Sequence, residues 1–162
     1  MNMIRHKTYL SISIVLILFL SASFAQAQNH VIDDSKNLRY QFIITGNTGT
    51  FKDGKLTLNG TPIVTFYFLG STREVGHFLV GTFVEMWEKN SSTYKADPPS
   101  GTLSVLGEKG SSGAVMQVSN PVSTLNLITF DARVLEGEIP ASFNASSFFL
   151  KLNVTEPLHT QN

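Results

Sequence analysis

The chain has 162 residues, 12 of them basic and 12 acidic, with a 42% hydrophobic content, 12 phenylalanines and no cysteine. A charge this balanced, with no run of Lys and Arg, offers no clustered basic face for phosphates and argues against a nucleic-acid partner. The lack of cysteine excludes thiol nucleophiles, zinc–thiolate sites, iron–sulfur clusters and disulfide staples, so burial alone must hold the fold.

Arg5, His6 and Lys7 precede the apolar run Leu10 to Leu20, which gives way to Ser21-Ala22-Ser23-Phe24-Ala25-Gln26-Ala27. Charged, then apolar, then small-x-small is the order of an export signal, and cleavage is expected after Ala27. The apolar run is shorter than the roughly 20 residues of a membrane span, so no span is expected once the signal is gone. Arg5 and Lys7 leave with the signal, which gives the mature chain a formal charge of −2. Residues 28–37 read as a lead-in, 38–156 as one domain and 157–162 as a tail. The expected location is secreted, periplasmic or on the cell surface.

Leu38 to Thr45 alternates apolar and polar residues with period two, the pattern of a half-buried strand. Gly46-Asn47-Thr48-Gly49 is a turn cluster, and Asp53-Gly54 between Phe51 and Lys55-Leu56-Thr57-Leu58 is a hairpin signal. Pro62 to Leu69 is almost continuously apolar and predicts a strand buried on both faces. Thr82-Phe83-Val84-Glu85 matches a capping box and predicts a helix of about two turns. Asn90-Ser91-Ser92 and Asp97-Pro98-Pro99 then act as breakers. Thr102 to Leu106, Ala114 to Val118, Leu125 to Val134 and Ser147 to Val154 read as further strands. Their turns are expected at Gly107 to Gly113, Asn120-Pro121 and Gly137 to Asn144.

Short strands at this spacing predict an all-β fold, an antiparallel β-sandwich of about seven strands with one short inserted helix. A lipocalin-like closed barrel is the alternative.

Phe66-Tyr67-Phe68, Arg73, Gly76-His77, Phe83 to Trp87, Ala96-Asp97-Pro98-Pro99 and Leu103-Ser104-Val105 recur in order with Asn120-Pro121 and Val134 to Pro140. In this the chain resembles a widespread family of small exported bacterial and archaeal proteins of uncharacterised function. The resemblance implies a domain identity and no activity. Where that family carries Ser-Asp-Arg-Pro after the aromatic strand, this chain has Leu69-Gly70-Ser71-Thr72 and is one residue shorter.

No catalytic set is visible. There is no Gly-x-Ser-x-Gly elbow. Ser111-Ser112 lies in a Gly-rich turn without a base, and Asp131 and Arg133 share a strand face as a surface ion pair. His30, His77 and His159 are too dispersed for a metal site, and Asp33-Asp34 lacks the alternating oxygen donors of a calcium loop. No metal or cofactor is expected. Asn59, Asn90, Asn144 and Asn153 head sequons that a glycosylating host would modify, with Asn90 and Asn144 best placed and Asn59 hindered by Pro62.

The candidate binding residues are Arg73, His77 and Trp87, in a long connection between two strands. Arg73 and His77 either face a shallow pocket for an anionic or polar group or tie the loop to backbone carbonyls, and Trp87 packs the helix on the core. The expected function is a non-catalytic binding or envelope-structural module whose partner is a protein or envelope component. A small-ligand carrier or a secreted hydrolase is the alternative.

Overall fold

A computed structural model describes residues 38–72, 74–107 and 110–158 of the chain. The signal, the cleavage position, His30, Asp33-Asp34, Arg73 and His159 lie outside the described residues. The chain runs β1 (Leu38–Gly46), β2 (Thr48–Lys52), β3 (Lys55–Asn59), β4 (Ile63–Phe68), β5 (Val75–Leu79), α1 (Val80–Lys89) and α2 (Ser91–Ala96). It continues through β6 (Ser100–Gly107), β7 (Gly110–Thr124), β8 (Leu127–Gly137), β9 (Ser142–Phe143) and β10 (Ser146–Val154).

Among the described residues the fold is mostly antiparallel β-sheet, but it has ten strands rather than about seven. They form one hydrogen-bonded sheet in the order β5-β4-β1-β10-β6-β7-β8-β3-β2-β9. The sheet is not closed, so the barrel alternative fails; its two ends are β5 and β9. It is strongly curled. Phe130 on β8 and Phe148 on β10 are three strand steps apart, about 14 Å on a flat sheet. Their ring centroids lie 5.7 Å from one another. Part of the curl is made at Asn47, where β1 turns into β2 and the Asn47 N–H donates to the Asn59 carbonyl at 2.8 Å. A side chain at Gly46 would crowd this corner, since its Cβ would sit 3.1 Å from Ser146 Oγ and 3.3 Å from Leu58 Cβ.

The inner face holds the core. Tyr40, Phe42 and Ile44 of β1 alternate with outward Gln41, Ile43 and Thr45, and Phe148, Leu150, Leu152 and Val154 of β10 do the same. Helix α1 lies against this face and turns Val80, Phe83, Met86 and Trp87 inward along one stripe. The Phe83 ring is 5.4 Å from Phe42 and 6.3 Å from Phe130, so the helix fills the space between two distant parts of the sheet.

Several sequence expectations are corrected. β4 buries one face only, because Ile63 and Tyr67 point outward on either side of inward Val64 and Phe66. The connection after β4 is a strand and two helices rather than a loop with one helix. Helix α1 starts three residues before the capping-box register, with Leu79 at its N-cap position and no side-chain cap bond there. Its first turn is fixed by its exit from β5, with the Val80 N–H donating to the Pro62 carbonyl at 3.1 Å. Asn90 does end α1, yet the supposed breakers Ser91-Ser92 open α2. Asn120-Pro121 is a bulge inside β7, with Asn120 at φ 47°, and the reversal comes later at Leu125-Asn126. The β6–β7 hairpin closes on the Gly107 and Gly110 pair, and the segment from Gly137 to Asn144 contains β9. The Asp53-Gly54 turn is as expected, with both residues at positive φ between paired Lys52 and Lys55.

Candidate functional site

The two described residues proposed from sequence, His77 and Trp87, are not gathered into one site. His77 lies on the outer face of β5, exposed, with Nδ1 3.1 Å from the Thr65 hydroxyl of β4. Its partner is therefore a neighbouring side chain rather than a backbone carbonyl. Trp87 is on the opposite, inner side, buried against Phe83, Tyr94 and Phe130. It serves the core, and it shares no pocket with His77.

The sequons separate in the same way. Asn90 is buried, its Nδ2 donating to the Met86 carbonyl at 2.9 Å. Its Oδ1 accepts from both the N–H and the hydroxyl of Thr155, each at 3.1 Å. The nitrogen that would carry a glycan is thus committed inside the fold, against the expectation that Asn90 is presented at a turn. Asn59, Asn144 and Asn153 are exposed. Thr61, the hydroxyl residue of the Asn59 sequon, is fully buried and its Oγ1 has no hydrogen-bond partner.

Asp131 and Arg133 do not pair with each other. Asp131 accepts from Lys55 Nζ and, at 2.8 Å, from Asn120 Nδ2, while Arg133 donates to Gln117 at 2.9 Å. The bonds from Lys55 and Asn120 hold the Asp131 carboxyl below its ordinary range. A depressed folded pKa contributes stability that is present above the unfolded value of about 4 and is lost as pH falls through the folded one. Both side chains are well exposed, at 59% and 37%, so solvent keeps the contribution below about 1 kcal/mol. Urea midpoints of the wild type and Asp131→Asn should therefore differ slightly at pH 7 and converge as pH falls through the folded pKa of Asp131. A gap persisting in acid would mean that the ion pair is not its source. Tyr94 is pushed well above the usual tyrosine range by burial, and its hydroxyl donates to the Asn153 carbonyl at 2.8 Å. Among the described residues no group of three or more His, Asp or Glu is placed to hold a metal ion. No described helix is long and apolar enough to cross a membrane.

What the sequence did not disclose is a groove on the outer face of the β9-β2-β3-β8 quarter of the sheet. Ser142 lies opposite Thr50, Thr50 opposite Thr57, and Thr57 opposite Thr129, which makes a row of four hydroxyls across four strands. The Thr57 and Thr129 hydroxyls are 3.0 Å apart. Thr48, Asn59 and Asn144 flank the row, and Phe143 and Leu127 add apolar surface to a cleft of about 510 Å³. No titratable side chain lines it. Each threonine reads in sequence as an ordinary strand residue; only the register of one hairpin and two pairings between strands distant in sequence aligns them.

No family model, curated protein or solved structure matches this chain.

Proposed function

We propose that this chain is an exported, non-catalytic binding module that recognises a neutral, hydroxyl-rich ligand, a saccharide by class, on the outer face of its sheet. The observation that carries this reading is the uncharged cleft lined by Ser142, Thr50 and Thr57, three members of a cross-strand hydroxyl row that Thr129 continues beyond it. Hydroxyls both donate and accept, so they suit a ligand whose own groups are hydroxyls. Strands repeat at about 4.8 Å, the scale of one sugar ring, so successive side chains in the row can meet successive rings. Amides at the rim and an aromatic edge complete a mixed polar and apolar lining of the kind that orients small ligands. The interior is a poor place for a carrier's cargo, because Phe42, Phe66, Phe83, Phe130 and Phe148 fill it.

Binding of neutral oligosaccharides, followed by titration calorimetry across a panel, tests this. Thr50→Val and Thr57→Val keep shape and remove a hydroxyl, and each should weaken binding by roughly threefold to tenfold, the worth of one net hydrogen bond. No binding at millimolar saccharide, or binding that both variants leave unchanged, would sink the proposal. Glycans on Asn59 or Asn144 would stand at the rim of the same cleft, so intact mass on native material is the companion measurement.

A further inference from the structure

We infer that two copies of this chain associate through the open edge of β5, independently of the cleft on the far quarter of the sheet. The two ends of the strand order are unlike. β9 has two residues, too few to template another strand, whereas β5 has five. Edge strands are ordinarily blunted by charge, proline or a bulge. Val75-Gly76-His77-Phe78-Leu79 has no Lys, Arg, Asp, Glu or Pro, and it pairs with β4 without a register shift.

The hydrogen-bond phase of β5 fixes which groups are free to pair. The Phe68 N–H donates to Glu74 and the Val80 N–H to Pro62, so Glu74, Gly76, Phe78 and Val80 direct their backbones toward β4. Val75, His77 and Leu79 therefore direct theirs to the open side. A two-fold axis at His77 sets His77 opposite its own copy and Val75 opposite Leu79 of that copy. This places every outward-directed residue in a hydrogen-bonded pair and apolar side chains beside apolar ones. The register is self-complementary, which a two-fold interface requires.

The surface beside this edge is apolar to match. Val75 is 55% exposed, Leu79 59%, Ile63 49% and Tyr67 38%, and β4–β5 pairing sets Ile63 beside Leu79 and Tyr67 beside Val75. These four side chains present on the order of 400 Å² of apolar surface, the size of the largest and often functional patch on a monomer. Pairing the two edges sets Val75 of one copy against Leu79 of the other, so the outward apolar side chains of β5 shelter one another while Ile63 and Tyr67 flank them on β4. The two-residue β9 edge stops the assembly at two copies.

Sedimentation equilibrium from about 1 to 200 μM should show a concentration-dependent dimer for the wild type, and a monomer for Val75→Lys with Leu79→Lys at an unchanged melting temperature. Leu106→Lys, an exposed position on β6, should still dimerise. Should the double lysine variant fail to fold, cross-linking decides, because the chain has no cysteine of its own. Hydrogen-bonded antiparallel pairs have Cα atoms about 5.5 Å apart, within disulfide reach. His77→Cys should oxidise to a covalent dimer at least tenfold faster than Leu106→Cys. A wild type that stays monomeric throughout, or His77→Cys that cross-links no faster than Leu106→Cys, overturns the inference.

Discussion

Trp87→Ala should lower the unfolding free energy by about 3–5 kcal/mol, the usual result of emptying a large aromatic position in a packed core. The ring touches three others, with centroid separations of 6.0 Å to Phe83, 4.7 Å to Tyr94 and 6.1 Å to Phe130. Those partners belong to α1, α2 and β8, so the loss falls where both helices meet the sheet. A cavity there cannot collapse easily, since β8 is held by β7 on one side and β3 on the other. Urea titration at an unchanged slope is the measurement. Trp87 is the chain's one tryptophan, so its fluorescence also follows helix docking directly in the wild type. A variant as stable as wild type would mean that α1 is not seated on the sheet.

The second large effect is expected at Asn90. Asn90→Ala removes a side chain that donates to Met86 and accepts twice from Thr155, which ties the end of α1 to the chain leaving β10. Alanine leaves the Met86 carbonyl and the Thr155 donors without that partner, and unpaired buried groups cost more than a hydrogen bond contributes. Thr155 is exposed and can turn to water, so the loss should settle at about 2–4 kcal/mol rather than at the sum of three bonds. Thermal unfolding of Asn90→Ala beside Ser91→Ala separates this from a general effect of altering the helix junction. Equal melting points for wild type and Asn90→Ala would show that the Asn90 network does not hold the two segments together.

The parts of the fold legible in the sequence are those where one face is wet. β1 and β10 alternate cleanly because their outward residues include Arg39, Gln41, Lys151 and Asn153, and Asp53-Gly54 specifies its turn by backbone preference alone. β5 was hidden for the opposite reason. Its outward Val75 and Leu79 are apolar and its inward Gly76 has no side chain, so no period of two is visible. The same outward apolar surface made β4 read as buried on both faces. Asn120-Pro121 does produce the irregular backbone those residues favour, but cross-strand pairing resumes beyond it, and local preference cannot distinguish a bulge from a turn. Asn90 read as a breaker and a surface sequon because its partner Thr155 lies 65 residues away. The hydroxyl row is invisible for the same reason, being a property of register between β9, β2, β3 and β8.

The placement of β10 has a consequence for how the chain reaches this state. β10 lies between β1 and β6, with Val154 opposite Leu38 and Phe148 opposite both Ile44 and Leu103. The first strand therefore cannot gain its second neighbour until the last strand has been delivered. Before then β1 is paired on the β4 side only, and the inward ring of Phe130 lacks Phe148 beside it. Pairings this distant along the chain must close long loops before they are rewarded, which places folding in the millisecond-to-second range typical of non-local β topologies. β10 is thus the rivet of the sheet: β5-β4-β1 on one side and β6-β7-β8-β3-β2 on the other can each pair without it, and only its arrival joins the two blocks.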